Sequence, residues 1–214
     1  MTTPQDLMIV TLDLPASRTV ERGDLSLALA AAETIDLLRA GAAALVDGRV
    51  VPAAETEARP SGGAARSGEV LLGEAARALA AGPDGEPLTE WLWRRGRGLA
   101  QTYLDALEAD GLLLRERTRG RFRVPRGTRL VLAQSPERRR AAHRAAADEP
   151  VLRALGAALA LPGGLPPGAE PVTDAEVVAV LRALSRNLAE LDVERHRRAR
   201  RLSEAARTNT RRGF

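Results

Sequence analysis

The sequence predicts a mainly α-helical protein, a helical domain around a buried central helix with small β-hairpins attached. Three observations predict it. Hydrophobic residues make up 44% of the chain while aromatics make up 2%, so the core must be built from Leu, Ala and Val. Ala and Leu favour helix, and short side chains let helices approach closely. Apolar residues also recur at helical spacing, clearest at Leu25, Leu29, Ala32 and Leu38. Finally, Asp47-Gly48 stands between two apolar runs, a hairpin signal because both residues tolerate positive φ.

Taken in order, Thr3, Pro4 and Asp6 read as a helix start: a cap, a first-turn proline and an acid at the positive end of the dipole. Residues 24–41 form the central helix, with Leu27 and Ile35 widening its apolar face and Gly41 ending it. After the Asp47-Gly48 hairpin and a loop comes a helix opened by a Ser67 cap and closed by Gly82. Gly96 and Gly98 divide the next stretch into helices over 88–95 and 99–110, the second carrying Leu99, Tyr103, Leu104 and Leu107 on one face. Residues 112–134 alternate, predicting strand, turn at Gly120, strand, and a third short strand at 128–132. Ser135-Pro136-Glu137 opens a further helix, 161–171 is a linker, and Thr173 to Glu176 reads as a capping box for a last helix reaching about residue 207. One domain over 1–214 is expected, with 208–214 as a frayed tail.

The composition excludes several classes of function. With no Cys there are no disulfides, thiolate metal sites or cysteine nucleophiles. No run of about 20 apolar residues is available to span a bilayer. The N-terminus lacks a basic start, so no signal peptide is expected. His143 and His196 each sit among arginines, which disfavour protonation, and read as exposed surface residues. Glu33 and Asp36, one helical turn apart, read as a solvated edge more readily than an interior pair. No catalytic constellation, metal set or cofactor loop emerges. The expectation is a protein that is not an enzyme and carries no cofactor.

Charge is distributed unevenly. All 32 basic residues are Arg, each a planar fork suited to phosphate or carboxylate. Residues 1–93 hold 7 Arg against 14 acids, residues 94–144 hold 14 against 5, and residues 145–214 hold 11 against 9. The middle segment therefore carries an excess of nine, more than the net +4 of the whole chain. Such a field attracts phosphate polymers or anionic membrane surfaces. As a membrane binder, the chain would hold lipid phosphates with Arg94, Arg95 and Arg97, and press a hairpin bearing Arg117, Arg119, Arg121 and Phe122 into the headgroups. Each basic residue near such a surface contributes on the order of 1 kcal/mol. Of Trp91 and Trp93, one reads as core and the other as an interface residue.

The same helix-then-hairpin order also fits a winged-helix nucleic-acid binder. Against that reading, Asp105, Glu108 and Asp110 would repel DNA, and Gln101 is nearly alone as a base-reading side chain. A third reading is a protein–protein adaptor using the acidic N-terminal half.

The segments "PQDLMIVTLD", "LALAAAETIDLLRAG", "SGEVLLGEAARAL" and "LDALEADGLL" with its hairpin, in this order and spacing, resemble the Golgi phosphoprotein 3 family over roughly residues 4–160. The resemblance implies a largely helical fold and a peripheral membrane protein binding phosphatidylinositol 4-phosphate in a basic pocket. It also implies a non-catalytic adaptor for membrane enzymes. Of the family's four pocket positions, one falls on Arg97. The others fall on Ala100, Glu21 and Ala30, which are not the family's residues. Arg94 and Arg97 would restore a one-turn pair in a shifted register. The expected location is cytoplasmic, at the inner face of the membrane.

Overall fold

The computed structural model describes residues 2–15, 19–53, 66–82, 85–119, 125–161 and 171–212, with backbone alone at 117–119, 125–129, 205–206 and 208–212. Within these lie eight helices and two small antiparallel sheets. The organising element is the central helix, α2 (Arg22–Arg39), buried at every position from Leu25 to Ile35. A helix surrounded on all sides has no room for large side chains everywhere. Ala28, Ala30, Ala31 and Ala32, all fully buried, let its neighbours approach closely.

Around α2 pack α1 (Thr3–Leu12), α3 (Ser67–Ala80), α4 (Leu88–Arg95), α5 (Leu99–Ala109), α7 (Pro150–Ala158) and the long α8 (Ala175–Arg212), while α6 (Pro136–Ala146) packs on α1. The Asp47-Gly48 turn joins β1 (Ala43–Val46) to β2 (Arg49–Pro52), with φ of 49° and 74° at its two central residues. These positive angles match the twist of the two strands they connect. The basic hairpin consists of β4 (Leu113–Arg119) and β5 (Pro125–Leu132).

Several local expectations are corrected. The third short strand at 128–132 is the continuation of β5. A strand without a sequence signal, β3 (Glu86–Pro87), joins the first sheet beside β2. Ser67 is the first residue of α3 and makes no cap; its hydroxyl donates to Asp110 at 2.6 Å. The cap of α8 is Asp174 rather than Thr173, its carboxylate accepting from the amides of Glu176 and Val177. Glu176 does not close a capping box but accepts from the Leu45 amide. α8 also runs past residue 207, to Arg212. The expected turn at Gly120 lies outside the described residues.

Glu33 is not on a solvated edge. It is fully buried and accepts from both Arg95 (2.7 and 2.9 Å) and the Tyr103 hydroxyl (2.9 Å). Burial raises its pKa, opposed by the Arg95 guanidinium. Asp36 is half-buried and accepts from the Thr3 amide at 2.7 Å, tying α1 to α2. The two acids thus face different partners because α2 is enclosed on more than one side.

Candidate functional site

The site forms where the start of α2, the α4–α5 turn and the middle of α8 meet. Gly96 permits the meeting. A Cβ there would lie 2.7 Å from the Leu92 carbonyl oxygen, closer than atoms tolerate, and a tight 3.2 Å from that of Ser26. The turn therefore presses directly on α2, and the Ser26 hydroxyl accepts from the Ala100 amide at 3.1 Å. α8 approaches the same end of α2 over Gly23, where an added Cβ would meet Leu191 at 3.0 Å. A two-point ion pair between Arg195 and Asp24, at 2.9 and 2.7 Å, fastens it there.

Between these elements opens a cleft of about 900 Å³. Arg22, Arg94, Arg97 and Arg198 line it, with Ser26, Trp93 and the exposed Glu90. Both α2 and α5 begin at its wall. The first amides of a helix have no intrahelical acceptor, and the dipole there favours negative charge. At α5 those amides are already taken, Leu99 by the Gly96 carbonyl, Ala100 by Ser26, and Gln101 and Thr102 by the Gly98 carbonyl, so the arginines and the start of α2 are what suit a phosphate-sized anion.

The expected headgroup set divides. Arg97 lines the cleft and makes no ion pair among the described residues. Arg94 reaches the wall but is held by Glu86, with Nε and Nη2 donating at 3.0 and 2.6 Å, and lies 4.9 Å from the centre of the Trp91 ring. Arg95 leaves the outward set altogether. It faces inward to Glu33 and donates a further bond to the Leu71 carbonyl. A helix turns by about 100° per residue, so Arg94 and Arg95 cannot share a face. Of the hairpin residues, Arg117 and Arg119 lie on the β4 backbone, and their side chains, with Arg121 and Phe122 entirely, fall outside the described residues.

Trp91 is the core tryptophan, fully buried, its indole N–H donating to Thr34 at 2.9 Å. Trp93, 36% exposed, stands at the cleft rim. His143 and His196 are exposed. Two cleft residues, Arg22 and Arg198, carry no signal in the sequence. They lie 75 and 101 positions from Arg97, in opposite directions along the chain. No local spacing connects them, and only the packing of α8 over Gly23 brings them together.

What the geometry defines is a mainly helical protein with an arginine-lined, open cleft at the ends of two helices. A family model, Golgi phosphoprotein 3, matches residues 4–212, and the chain belongs to that family. The match extends well past residue 160, where the resemblance read from the sequence stops, and includes all of α8. No curated protein and no solved structure gives a significant match. Among the described residues, no helix is long and apolar enough to cross a membrane, and no group of three or more His, Asp or Glu could hold a metal ion.

Proposed function

We propose that this protein is a non-catalytic peripheral membrane protein that seats the phosphate of an anionic lipid headgroup, of the phosphatidylinositol 4-phosphate type, in the cleft. The observation that carries this reading is that Arg22 and Arg97, from separate elements, line one cleft with no carboxylate holding either among the described residues. An unpaired guanidinium binds phosphate through two parallel bonds and gives up no internal ion pair to do so. Arg198, held among the described residues only by Glu194 on its own exposed helical turn at 2.8 Å, is the third ligand. Arg94 borders the site and steers the anion, while Arg95 supports α4 from within. Trp93 sits at the headgroup level, where tryptophan collects.

The β4–β5 hairpin, through Arg117, Arg119, Arg121 and Phe122, gives a second contact with the same anionic membrane surface. The protein works at the inner face of the membrane, in the cytoplasm, as an adaptor for a membrane enzyme. This departs from the family's pocket in its ligands, since Ala100, Glu21 and Ala30 supply no cation and Arg22 and Arg198 take their place. The winged-helix alternative fares poorly, because the exposed face of α5 presents Gln101 bonded to Asp105, then Asp110, to any nucleic acid. Co-sedimentation with vesicles containing phosphatidylinositol 4-phosphate tests the reading. Wild type should pellet with them and not with neutral phosphatidylcholine vesicles; equal binding to both, or preference for duplex DNA, would overturn it.

A further inference from the structure

The last part of α8 does something the cleft does not need. The helix is 38 residues long, roughly 57 Å at 1.5 Å per residue. Its first half is core, with Val177, Val180, Ala183, Leu184 and Asn187 buried. The Arg195–Asp24 pair is the last hydrogen-bonded tie from α8 to α2 among the described residues, and every described side chain from His196 to Arg207 is exposed. A globular protein gains nothing in stability from extending a helix past its own body.

The charge on this projection is strongly one-sided. Residues 193–212 hold eight Arg against two Glu, an excess of six in a chain whose net charge is +4. At about 100° per residue, Arg197, Arg200, Arg201 and Arg207 fall within about 120° of one another, centred roughly 120° round the helix from the buried stripe. Glu204 is the single carboxylate among them. None of the four arginines makes an ion pair or side-chain hydrogen bond among the described residues; Arg197 and Arg201 only contribute to the field at Glu194. Their Coulomb field is therefore directed outward. The face begins beside Trp93, which forms a groove with Val193, Glu194 and Arg197 and also stands at the cleft rim.

We propose that the projecting half of α8 is a further membrane contact, a basic arm lying along the headgroups of an anionic bilayer through Arg197, Arg200, Arg201 and Arg207. The partner is a bilayer surface for two reasons. The arm's charge complements it, and the arm is continuous, through Trp93, with the mouth of the cleft. A second copy of this chain would bring like charges face to face. The proposal rests on the membrane reading for its partner, but not on the cleft residues.

Arm and cleft separate experimentally. Vesicles of phosphatidylcholine with phosphatidylserine carry charge but no phosphorylated inositol, and so probe the arm together with the hairpin, the variants below separating the arm's share. Soluble inositol phosphate probes the cleft. The variant R197Q/R200Q/R201Q/R207Q should weaken phosphatidylserine binding by about a hundredfold, given roughly fivefold per basic residue with incomplete simultaneous engagement. It should keep the affinity of wild type for inositol phosphate. The lysine variant R197K/R200K/R201K/R207K, which keeps the charge, should retain vesicle binding and guards against a folding artefact. Phosphatidylserine binding unchanged in the glutamine variant would overturn the proposal. So would loss of binding in the lysine variant, or tighter binding of wild type to duplex DNA than to these vesicles at equal salt. Failure of inositol phosphate binding alone would overturn the cleft and leave the arm standing.

Discussion

Residues 94–144 and residues 193–212 are both arginine-rich, but folding treats them differently. In the first segment four arginines turn to acids outside it: Arg94 to Glu86, Arg95 to Glu33, Arg138 to Asp13, and Arg144 to Asp6 and Glu149. Four of those five acids belong to the acidic segment 1–93. Part of the excess in one stretch is therefore opposed, through these four arginines, by part of the deficit in the other. In the second segment only Arg195 finds a distant acid, Asp24, among the described residues. The remainder extends beyond the body, away from the acids of the N-terminal half. A charge run along a chain becomes a field in space only where the fold leaves it unopposed.

The sharpest way to break this comparison is to remove an acid from one segment's pairs and the arginines from the other. Glu33→Ala strands the Arg95 guanidinium in the interior, and breaking a buried pair from one side costs about 3–5 kcal/mol. Tm should fall by roughly 10 °C for a protein of this size. The glutamine variant of the α8 arm should melt with wild type. If the two shift Tm alike, the division into paired and outward-facing arginines is wrong.

Next in size is the cleft. Arg22→Gln with Arg97→Gln should weaken binding of inositol phosphate by about a hundredfold, at roughly 1.5 kcal/mol for each arginine removed. Calorimetric titration measures this, and Tm should hold because neither residue is paired among the described residues. Arg95→Gln should instead lower Tm, and weaker affinity at unchanged stability there would return Arg95 to the site.

A smaller effect concerns pH. Burial raises the pKa of Glu33 above the ordinary glutamate value of 4.5 despite Arg95, and Asp6 and Asp36 shift upward for the same reason. A carboxyl with a raised pKa holds its proton more tightly in the folded state. Its contribution is complete below the unfolded value and is lost as pH rises through the folded one. Chemical denaturation of Glu33→Gln from about pH 4 to pH 7 should therefore lack the part of this decline that Glu33 supplies. A steeper decline in the variant would contradict the assigned direction.

The smallest effect is expected at the surface. Arg115 lowers the pKa of Glu108 across an exposed pair at 2.5 and 2.8 Å, but solvent screens such pairs. Glu108→Gln should leave Tm unchanged by calorimetry; a clear drop would mean that exposed pairs in this segment matter as the buried ones do.

Much of the fold is legible locally. The α2 periodicity, the Asp47-Gly48 turn, the break at Gly96 and Gly98, and the Ser135 cap all depend on neighbours within a few residues, and each stands where expected. Three of the departures share one cause. Ser67 finds Asp110 rather than its own helix, Glu176 finds the Leu45 amide, and β3 exists only because β2 offers it an edge. In each, a partner distant in sequence prevails over a local one.

The candidate site divides in the same way. Arg97 is visible because its position can be counted from Gly111, and the basic character of residues 94–97 is plain. The exclusion of Arg95, the inclusion of Arg22 and Arg198, and the outward face of the α8 arm are not. By itself, the sequence determined the helical class, the enclosed central helix and the use of arginine for every positively charged side chain, since these follow from composition and short-range periodicity. Which arginines face outward was decided only in three dimensions. An ion pair forms wherever packing brings opposite charges within a few ångströms, and sequence separation places almost no limit on that distance.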